Sequence, residues 1–515
     1  MSGATGVAIL AGDTEQSPES RDRLHEITEI FGQFGEQTQF GEQTMRNVTQ
    51  HYIGGEFVES HGREAMEIIN PSNGQVIGHV TLGDEQDTQR AIAAAKKAFP
   101  GFSRTTKEER SRYLRRLHEV VSARTEDLTA TMIEEYGAPR QFCQASAARA
   151  ATAFLNADTA LREVALTKGV GGAVVNLEPI GVAGLITPWN ASSSFVCGKL
   201  AAALAAGCTT VIKPSELSAL QTQILLECLH EARLPPGVFN VVNGKGEVVG
   251  AEFTRSPDVA KISFTGSTVV GKTIIRDGAA TMKRVTLELG GKSANLLLDD
   301  ADFAKAIPLA LALCFMNNGQ ACIAATRLLV PESRLDEAKE ALLQALPSFK
   351  VGDPANEDTA IGPMVTKKQY DRVQSYIRKG IEEGANVLAG GEGHPEGLEG
   401  GNFVKPTIFT SVTSRMTIAQ EEIFGPVLSV LTYRTDEEAI EIANDTQYGL
   451  YGYVSGTDEQ RTNRVASQII AGRVNINGFH EAMMAPFGGF KQSGIGREYG
   501  VYGIEAYLEP RAILR

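Results

Sequence analysis

GVAGLITPWNASSSFVCGKLAAALAAGCTTVIKPSE, residues 181–216, holds two short apolar runs separated by a segment of helical length. The runs are VAGLI (182–186) and TTVIK (209–213), and polar residues follow each of them at once. Strand, helix and strand at this spacing predict a parallel pair of strands joined by a crossover helix.

The same alternation continues along the chain. Apolar runs recur at 238–242, 260–264 and 284–289, with amphipathic stretches between them. After Gly290 the pattern restarts and continues to GRVNI (472–476). The sequence therefore predicts an α/β fold in which a doubly wound parallel sheet is followed by a second α/β domain.

Composition narrows the classes of function. With 515 residues, 42% of them hydrophobic and 22% charged, the chain has the make-up of a globular protein of two or three domains. A net charge of −13 disfavours a nucleic-acid partner. The cysteines and histidines lack metal-ligand spacing, so no metal site is expected. Apolar runs shorter than about 18 residues and the lack of a signal-peptide pattern predict a cytoplasmic protein with no membrane partner.

Polar residues follow four of the predicted strands. They are TPWN (187–190), KPSE (213–216), TGST (265–268) and the region of Glu288 with GGKS. Ligands of open parallel sheets bind at the carboxyl ends of the strands, so these groups are expected to meet in one crevice.

The individual motifs leave alternatives open. TGSTVVG supplies Gly266 and Gly271 but lacks the middle glycine of GxGxxG, so on pattern alone dinucleotide binding is weakly supported. Gly266 and Ser267 still precede a helix, whose free N–H groups can hold a phosphate. Lys213 and Glu216 fit either a surface ion pair or a grip on the two ribose hydroxyls of an adenosine.

Glu288 and Cys322 are the candidates for chemistry. Glu288 interrupts the apolar strand VTLEL, where burial would raise its pKa toward that of a general base, although an outward-facing strand residue fits the alternation equally well. Cys322 lies in FMNNGQACIAATR (315–327), and cysteine is often simply buried. A thiol and a carboxylate on opposite walls of a cleft would suit a two-step covalent reaction.

Taken together, these residues resemble the aldehyde dehydrogenase superfamily from about residue 50 to the C-terminus. Eight stretches occur in the order and approximate spacing of that family. They are INPSNG (69–74), GVAGLITPWN (181–190), KPSE (213–216), FTGSTVVG (264–271), LELGGKS (287–293), NNGQACIAATR (317–327), EEIFGPV (421–427) and PFGGFKQSGIGRE (486–498).

The resemblance implies a division into a Rossmann-like cofactor domain, a catalytic domain and a small β oligomerisation element. The implied bounds are 45–164 and 180–289 for the cofactor domain, 290–487 for the catalytic domain, and 165–179 with 488–515 for the oligomerisation element. Residues 1–44, which repeat FGEQT, are expected to be a poorly ordered polar extension.

The resemblance also implies roles for single residues. Cys322 is the expected nucleophile, Glu288 the base, and Asn190 the side-chain half of an oxyanion hole whose other half is the Cys322 N–H. The expected cofactor contacts are Ile186, Trp189, Lys213, Glu216, Gly266, Ser267, Gly271, Gln369, Glu422 and Phe424.

The implied reaction oxidises an aldehyde to the acid through a cysteine thiohemiacetal and a thioester, which Glu288-activated water hydrolyses. NAD is the expected cofactor, because Glu216 would repel a 2′-phosphate, with NADP an alternative. The alternatives for the reaction are a CoA-acylating enzyme, which Glu288 disfavours, and a cofactor-independent thiol hydrolase. A homodimer or homotetramer is expected. Ala191 and Gly198 replace aromatic residues of many relatives, which predicts a differently shaped substrate tunnel with Phe479, His480, Met483 and Met484 on its other wall.

Overall fold

The computed structural model describes residues 45–514, so the predictions for residues 1–44 lie outside the described range. The strands of this part follow in chain order: β1 (Arg46–Val48), β2 (Gln50–Ile53), β3 (Glu56–Glu59), β4 (Glu64–Ile69), β5 (Val76–Leu82), β6 (Thr167–Val170), β7 (Ala173–Pro179), β8 (Val182–Ile186), β9 (Thr209–Lys213), β10 (Phe239–Val241), β11 (Val259–Thr265), β12 (Arg284–Glu288), β13 (Ala294–Leu297), β14 (Arg327–Pro331), β15 (Asn386–Ala389), β16 (Thr407–Thr410), β17 (Val427–Tyr433), β18 (Tyr451–Ser455), β19 (Arg473–Ile476), β20 (Gly494–Ile495) and β21 (Leu508–Leu514).

The α-helices of the same part lie between these strands. They are α1 (Glu85–Phe102), α2 (Lys107–Ser122), α3 (Thr125–Tyr136), α4 (Arg140–Glu163), α5 (Ser192–Ala206), α6 (Ala219–Glu231), α7 (Ala251–Arg255), α8 (Thr268–Gly278), α9 (Phe303–Phe315), α10 (Leu335–Ala345), α11 (Lys367–Glu382), α12 (Thr417–Gln420), α13 (Asp436–Asn444), α14 (Glu459–Ala466) and α15 (Gly500–Glu505).

The opening stretch of the sequence folds into β8, α5 and β9 as predicted. β8 and β9 are buried at every residue and pair in parallel. Strands covered on both faces read as continuous apolar runs, which is why these two stand out in the sequence. They lie in an eight-stranded sheet of order β20-β12-β11-β8-β9-β10-β2-β3, in which β12 through β10 are parallel.

The strand order reverses between β8 and β11. From β8 the chain moves to β9 and β10 on one side, and it then crosses to β11 and β12 on the other. This doubly wound arrangement opens a crevice at the carboxyl ends of β8 and β11, where TPWN and TGST begin.

The second sheet has seven strands in the order β15-β16-β17-β14-β13-β18-β19. All neighbours are parallel except β15 and β16. β12 ends the parallel part of the first sheet at Glu288, and β13 begins the second sheet at Ala294. The turn between them therefore joins the carboxyl edge of one sheet to the amino edge of the other.

Two three-stranded sheets complete the fold. One has the order β1-β5-β4 and the other β21-β7-β6. β21 pairs antiparallel with β7 from Leu508 to Leu514, so the end of the chain joins the hairpin near 165–179.

The tail segment YGIEAYLEPRAIL has the pattern of a strand, but its first part is helical. α15 occupies Gly500–Glu505, and β21 begins after it. The short strand β20, which precedes α15, pairs with β12 in the first sheet. A six-residue helix is too short to show a helical period, so alternation alone misassigned it.

Arg110 of α2 closes the C-terminal end of α5. Its buried guanidinium donates to the carbonyl oxygens of Ala205 and Ala206 at 3.3 and 2.9 Å. A Cβ on Gly207 would lie 2.4 Å from the guanidinium, so the helix end and the arginine fit without spare room. The last carbonyls of a helix lack partners within it, and a cation there also complements the helix dipole.

We expect Arg110→Met to destabilise the protein by about 2 kcal/mol, because it leaves buried carbonyls without donors. The measurement is the midpoint of urea unfolding. Arg116→Met is the matched control on the same helix, since the side chain of Arg116 is 52% exposed and forms only a surface pair with Glu119. Equal midpoints for the two variants would contradict this role.

Candidate active site

Cys322 lies in the loop that precedes β14, at the amino edge of the second sheet. It is half-buried, whereas the other five cysteines are buried. A Cβ on Gly291 would lie 2.3 Å from the Cys322 carbonyl oxygen. The turn after Glu288 therefore passes directly against the cysteine, which brings the two predicted catalytic residues to one site.

The backbone just before the cysteine has an unusual conformation. Asn317, Asn318 and Gly319 have φ angles of 51°, 61° and 72°. L-residues avoid this left-handed region at a cost of about 1 kcal/mol each, and asparagine tolerates it better than most. Such a conformation persists only where the surroundings impose it.

Side-chain amides impose this conformation on the loop. Asn318 Nδ2 donates to the carbonyl oxygens of Gly137 and Pro363, both at 3.0 Å. The Tyr136 hydroxyl donates to Asn317 Oδ1 at 2.8 Å. These contacts are absent from the sequence predictions, although the tripeptide Asn-Asn-Gly is a signal for a left-handed turn.

Asn190 belongs to the same network. Its buried Nδ2 donates to the Gln320 carbonyl oxygen at 2.9 Å, and Asn317 Nδ2 donates to the Asn190 carbonyl oxygen at 2.9 Å. The end of β8 is thus tied to the residues just before Cys322. An amide has two N–H groups, so Asn190 retains one donor beyond its bond to Gln320.

Glu288 is 2% exposed at the end of β12. Neither carboxylate oxygen has a hydrogen-bond partner among the described residues. Burial, followed by the charge of Glu498, raises the pKa of Glu288 well above its usual range. The residue is therefore an inward-facing carboxyl whose surroundings disfavour its charged form, which matches the environment expected of a general base.

Lys199, Ser263 and Glu498 form a buried polar cluster beside Glu288. Lys199 Nζ lies 3.0 Å from Ser263 Oγ and is ion-paired with Glu498, and Ser263 Oγ lies 3.1 Å from Glu498 Oε1. None of these three residues has a predicted role from the sequence. A single lysine inside the apolar helix FVCGKLAAALAAG was the available signal.

The thiol of Cys322 is held in its protonated form. Burial, then the nearby carboxyls of Glu422 and Glu288, raises its pKa to about 12. Cys322 packs against an apolar cluster that includes Leu450, Tyr451 and Phe487, and Phe479 and Tyr499 pack against the same cluster, which accounts for the dry surroundings.

Lys213 and Glu216 meet at the carboxyl end of β9. Lys213 is buried, and its Nζ donates to Glu216 Oε2 at 2.8 Å and to the Pro214 carbonyl oxygen at 3.0 Å. Although burial acts to raise it, the pKa of Glu216 is lowered by the Lys213 charge. A buried lysine fixed to a half-buried carboxylate offers both a donor and an acceptor at the edge of the crevice.

The residues of TGSTVVG form the start of α8. Ser267 caps the helix by accepting from the Val270 N–H at 3.4 Å, and Gly271 packs so closely that a Cβ would lie 2.7 Å from Leu289. Gly266 N–H donates to the Glu288 carbonyl oxygen at 3.0 Å. Val269 is 75% exposed in the first turn, which leaves an apolar surface beside the helix N-terminus.

Two buried hydroxyls at this edge lack partners within residues 45–514. They are Thr187 Oγ1 after β8 and Thr265 Oγ1 at the end of β11. Ile186, also buried, ends β8 beside them. Unpaired buried hydroxyls flanking the switch point are what a site for a polar ligand provides.

The EIFGP loop brings in the remaining predicted contacts. Glu422 Oε1 accepts from the Gly291 N–H at 3.0 Å, and burial raises the pKa of Glu422 to about 7. Phe424 has a φ of 62°, and its ring lies 5.5 Å edge-on from that of Trp189. Gln369 Nε2 donates to the Phe424 carbonyl oxygen at 2.8 Å, so this amide holds the loop.

The residues predicted to form the walls of the substrate tunnel do not all line one cavity. Gly198 and Met483 line one cavity, and Phe479 packs in the cluster around Cys322. Ala191 is buried at the start of α5. His480 is exposed, and its ring bonds to the Ile476 carbonyl oxygen at 3.2 Å, consistent with a position at the rim.

No helix within 45–514 is long and apolar enough to cross a membrane. Across the same range, no group of three histidine, cysteine or acidic residues could hold a metal ion.

Comparison with known proteins gives a consistent result. The model of the aldehyde dehydrogenase family matches residues 57–513. The 3-succinoylsemialdehyde-pyridine dehydrogenase of a Pseudomonas species is 44% identical over 91% of this chain and 99% of that protein. A putative aldehyde dehydrogenase of Staphylococcus haemolyticus is 46% identical over the same shares.

Solved structures agree with this assignment. A mutant of aldehyde dehydrogenase C from Pseudomonas syringae in complex with NAD+ and octanal has a TM-score of 0.90 and 44% identity, covering 92% of this chain and 99% of that one. An aldehyde dehydrogenase of Mycobacterium tuberculosis complexed with NAD+ has a TM-score of 0.89 and 38% identity, with the same coverage. The predicted family, α/β fold class and enzyme class are thereby confirmed.

We expect alkylation of Cys322 by iodoacetamide to be slow at pH 7 and to rise about tenfold per pH unit through pH 10, because its thiolate forms only toward a pKa of about 12. Mass spectrometry of the peptide carrying Cys322 measures the rate. Glu422→Gln removes one nearby carboxyl and should move the profile to lower pH. A plateau below pH 9 in the unsubstituted protein would contradict the buried-thiol description.

Proposed function

The chain belongs to the aldehyde dehydrogenase family, and we propose that it oxidises an aldehyde to the carboxylic acid with NAD, using Cys322 as nucleophile, Asn190 as oxyanion donor and Glu288 as base. The observation that carries this assignment is the fit of the Cys322 loop against both Asn190 and the turn after Glu288. NAD+ in the solved relatives supports the choice of cofactor.

The crevice at the switch point fits a dinucleotide. Its donor set is the Lys213–Glu216 pair for ribose hydroxyls, the N-terminus of α8 at Gly266 and Ser267 for phosphate, and Glu422 with Phe424 for the nicotinamide end. Ile186, Trp189, Gly271 and Gln369 shape or hold this surface. When bound, NAD supplies the acceptor for hydride.

The first task of the chain is nucleophilic attack. The Cys322 thiol releases its proton to solvent water, and its sulfur bonds to the aldehyde carbon. The carbonyl π bond opens at the same time and its electron pair moves to the oxygen, which gives a thiohemiacetal oxyanion. The free N–H of Asn190 and the Cys322 backbone N–H hold that oxygen. Loss of one such donor commonly slows an enzyme by about 10²–10³.

The second task is hydrolysis of the thioester on Cys322. Glu288 takes a proton from water, the hydroxide adds to the acyl carbon, and the carbon–sulfur bond breaks to release the acid. Glu288 must first be deprotonated, and Lys199 with Arg497 supplies positive charge that favours this form.

Glu288 favours hydrolysis over transfer to CoA, because its inward carboxyl provides the base that only the water reaction needs. The Lys213–Glu216 pair and the EIFGP loop disfavour a cofactor-independent thiol hydrolase, which would have no use for them.

We extend the proposal to the organisation of the chain. Residues 45–164 and 180–289 would bind the cofactor, residues 290–487 would carry the nucleophile, and 165–179 with the end of 488–515 would pair copies of the chain. Exposed apolar residues on this last sheet, including Val170 and Leu514, support a homodimer or homotetramer. A cytoplasmic location stays a prediction of the sequence.

The test is absorbance of reduced nicotinamide with a panel of aliphatic, aromatic and semialdehyde substrates, each with NAD or NADP and with or without CoA. We expect signal with NAD that needs no CoA and is lost in Cys322→Ala. Glu288→Gln should lower kcat by about 10²–10⁴ and accumulate an acyl adduct on Cys322 that mass spectrometry detects. A signal that requires CoA would overturn the role of Glu288.

The rate of acyl release should rise with pH, and this rise should lie well above pH 4.5, the usual pKa of a glutamate. The reason is that Glu288 acts as a base only when deprotonated, and its surroundings raise its pKa. Glu498→Gln removes the neighbouring negative charge and should shift this rise to lower pH. Stopped-flow kinetics under single-turnover conditions measure it, with Glu119→Gln, whose side chain is 62% exposed on α2, as control. An unshifted rise in Glu498→Gln would contradict the coupling of the two carboxyls.

A further inference from the structure

A cavity of about 40 Å³ lies in the groove between α4 and α5. Arg149, Ala153 and Ala157 line it from one face of α4, and Gly198 and Ala202 line it from α5. Residues three, four and eight apart share a helix face, so the cavity exists because both facing stripes carry small side chains. A Cβ on Gly198 would meet nothing within 4 Å.

The cavity borders the proposed catalytic residues. Tyr499 lines it, and the Tyr499 ring lies 5.4 Å from that of Phe487, a member of the apolar cluster against which Cys322 packs. Thr286 and Glu498 line it as well, and the charge of Glu498 acts on Glu288. A substrate that reaches Cys322 can therefore place its far end here.

The lining carries excess positive charge in a protein of net charge −13. Lys199 is paired with Glu498, which leaves Arg149 and Arg497. Within the described residues, Arg497 has no ion pair and donates to the carbonyl oxygens of Gly489 and Gly496.

Arg149 is the cation with an exchangeable partner. Its side chain is 26% exposed, and its ion pair with Glu481 at 2.9 Å lies at the surface, where Glu481 is 45% exposed. Exposed pairs contribute little, so a better-buried anion can displace Glu481. The guanidinium also lies 5.6 Å from the Phe142 ring, which fixes its stem against α4.

The volume of the cavity indicates the size of the group that it can hold. One water needs about 10–15 Å³ of such space, so 40 Å³ holds about three heavy atoms, the size of a carboxylate group. An alkyl end would leave Arg149 and Arg497 facing apolar atoms, whereas a carboxylate would accept from Arg149 in a bidentate, charge-assisted pair.

We propose, on the basis of the proposed function, that the preferred substrates are aldehydes with a carboxylate at the far end, and that Arg149 binds this carboxylate. In the free enzyme Arg149 is ion-paired with Glu481, and the substrate carboxylate replaces Glu481 on binding. The proposal concerns substrate choice, and the reaction at Cys322 is unchanged.

The test compares ω-oxo acids of four to eight carbons with n-alkanals of matched length, measured by NADH formation. We expect the oxo acid to have the higher kcat/KM at one or more lengths. Arg149→Met should lower the ratio of kcat/KM for oxo acid over alkanal about ten- to a hundredfold, mainly through KM for the oxo acid. Glu481→Gln should raise this ratio. Arg116→Met, which removes a surface charge from the neighbouring helix α2, should leave it unchanged.

Two measurements guard against a variant that folds poorly. On the unsubstituted protein, hexanedioate should inhibit competitively at concentrations at least tenfold below those of hexanoate. Gly198→Leu, which fills the open space on α5, should raise KM for the oxo acid more than KM for propanal.

The outcomes separate the two proposals. Oxidation of alkanals with no preference for oxo acids, or an equal effect of Arg149→Met on both series, overturns the carboxylate site and leaves the proposed function standing. Failure to oxidise either series overturns both.

Discussion

The left-handed turn at Asn317, Asn318 and Gly319 is the constraint on which the site depends. Three successive residues with positive φ are unfavourable, and hydrogen bonds between the side chains of Asn317 and Asn318 and groups outside the turn hold them in place. The outside partners include the end of α3 and the Asn190 carbonyl oxygen, which both belong with the first sheet, while the turn leads into the second. The strained turn therefore lies at the junction of the two sheets, and Cys322 follows directly after it.

Several titratable groups are buried around this junction. Glu288, Glu422 and Cys322 all have raised pKa values, because burial disfavours ionisation of each. The charges of Glu422 and Glu288 raise the pKa of Cys322 further. Lys199 and Glu498 hold opposite charges in direct contact nearby, so neither is an isolated ion in this interior.

Much of this could be predicted from sequence, and the limits have physical causes. Buried parallel strands such as β8 and β9 read as apolar runs, and the roles proposed for Cys322, Glu288 and Asn190 rest on residue type within long motifs. Contacts between residues distant in sequence could not be predicted, as for the ion pair of Lys199 and Glu498, which lie 299 positions apart. The short helix α15 was missed because six residues show no period.

That separation along the chain has a consequence for synthesis on the ribosome. α5 emerges with Lys199 pointing into a helix packing that is otherwise apolar, and its carboxylate partner follows almost 300 residues later. Domains commonly fold as they emerge, yet this lysine cannot be neutralised within the core until nearly the whole chain has left the tunnel. The Lys199–Glu498 pair and the pairings of β20 with β12 and of β21 with β7 can therefore form only after the C-terminal segment that carries Glu498, β20 and β21 has been synthesised.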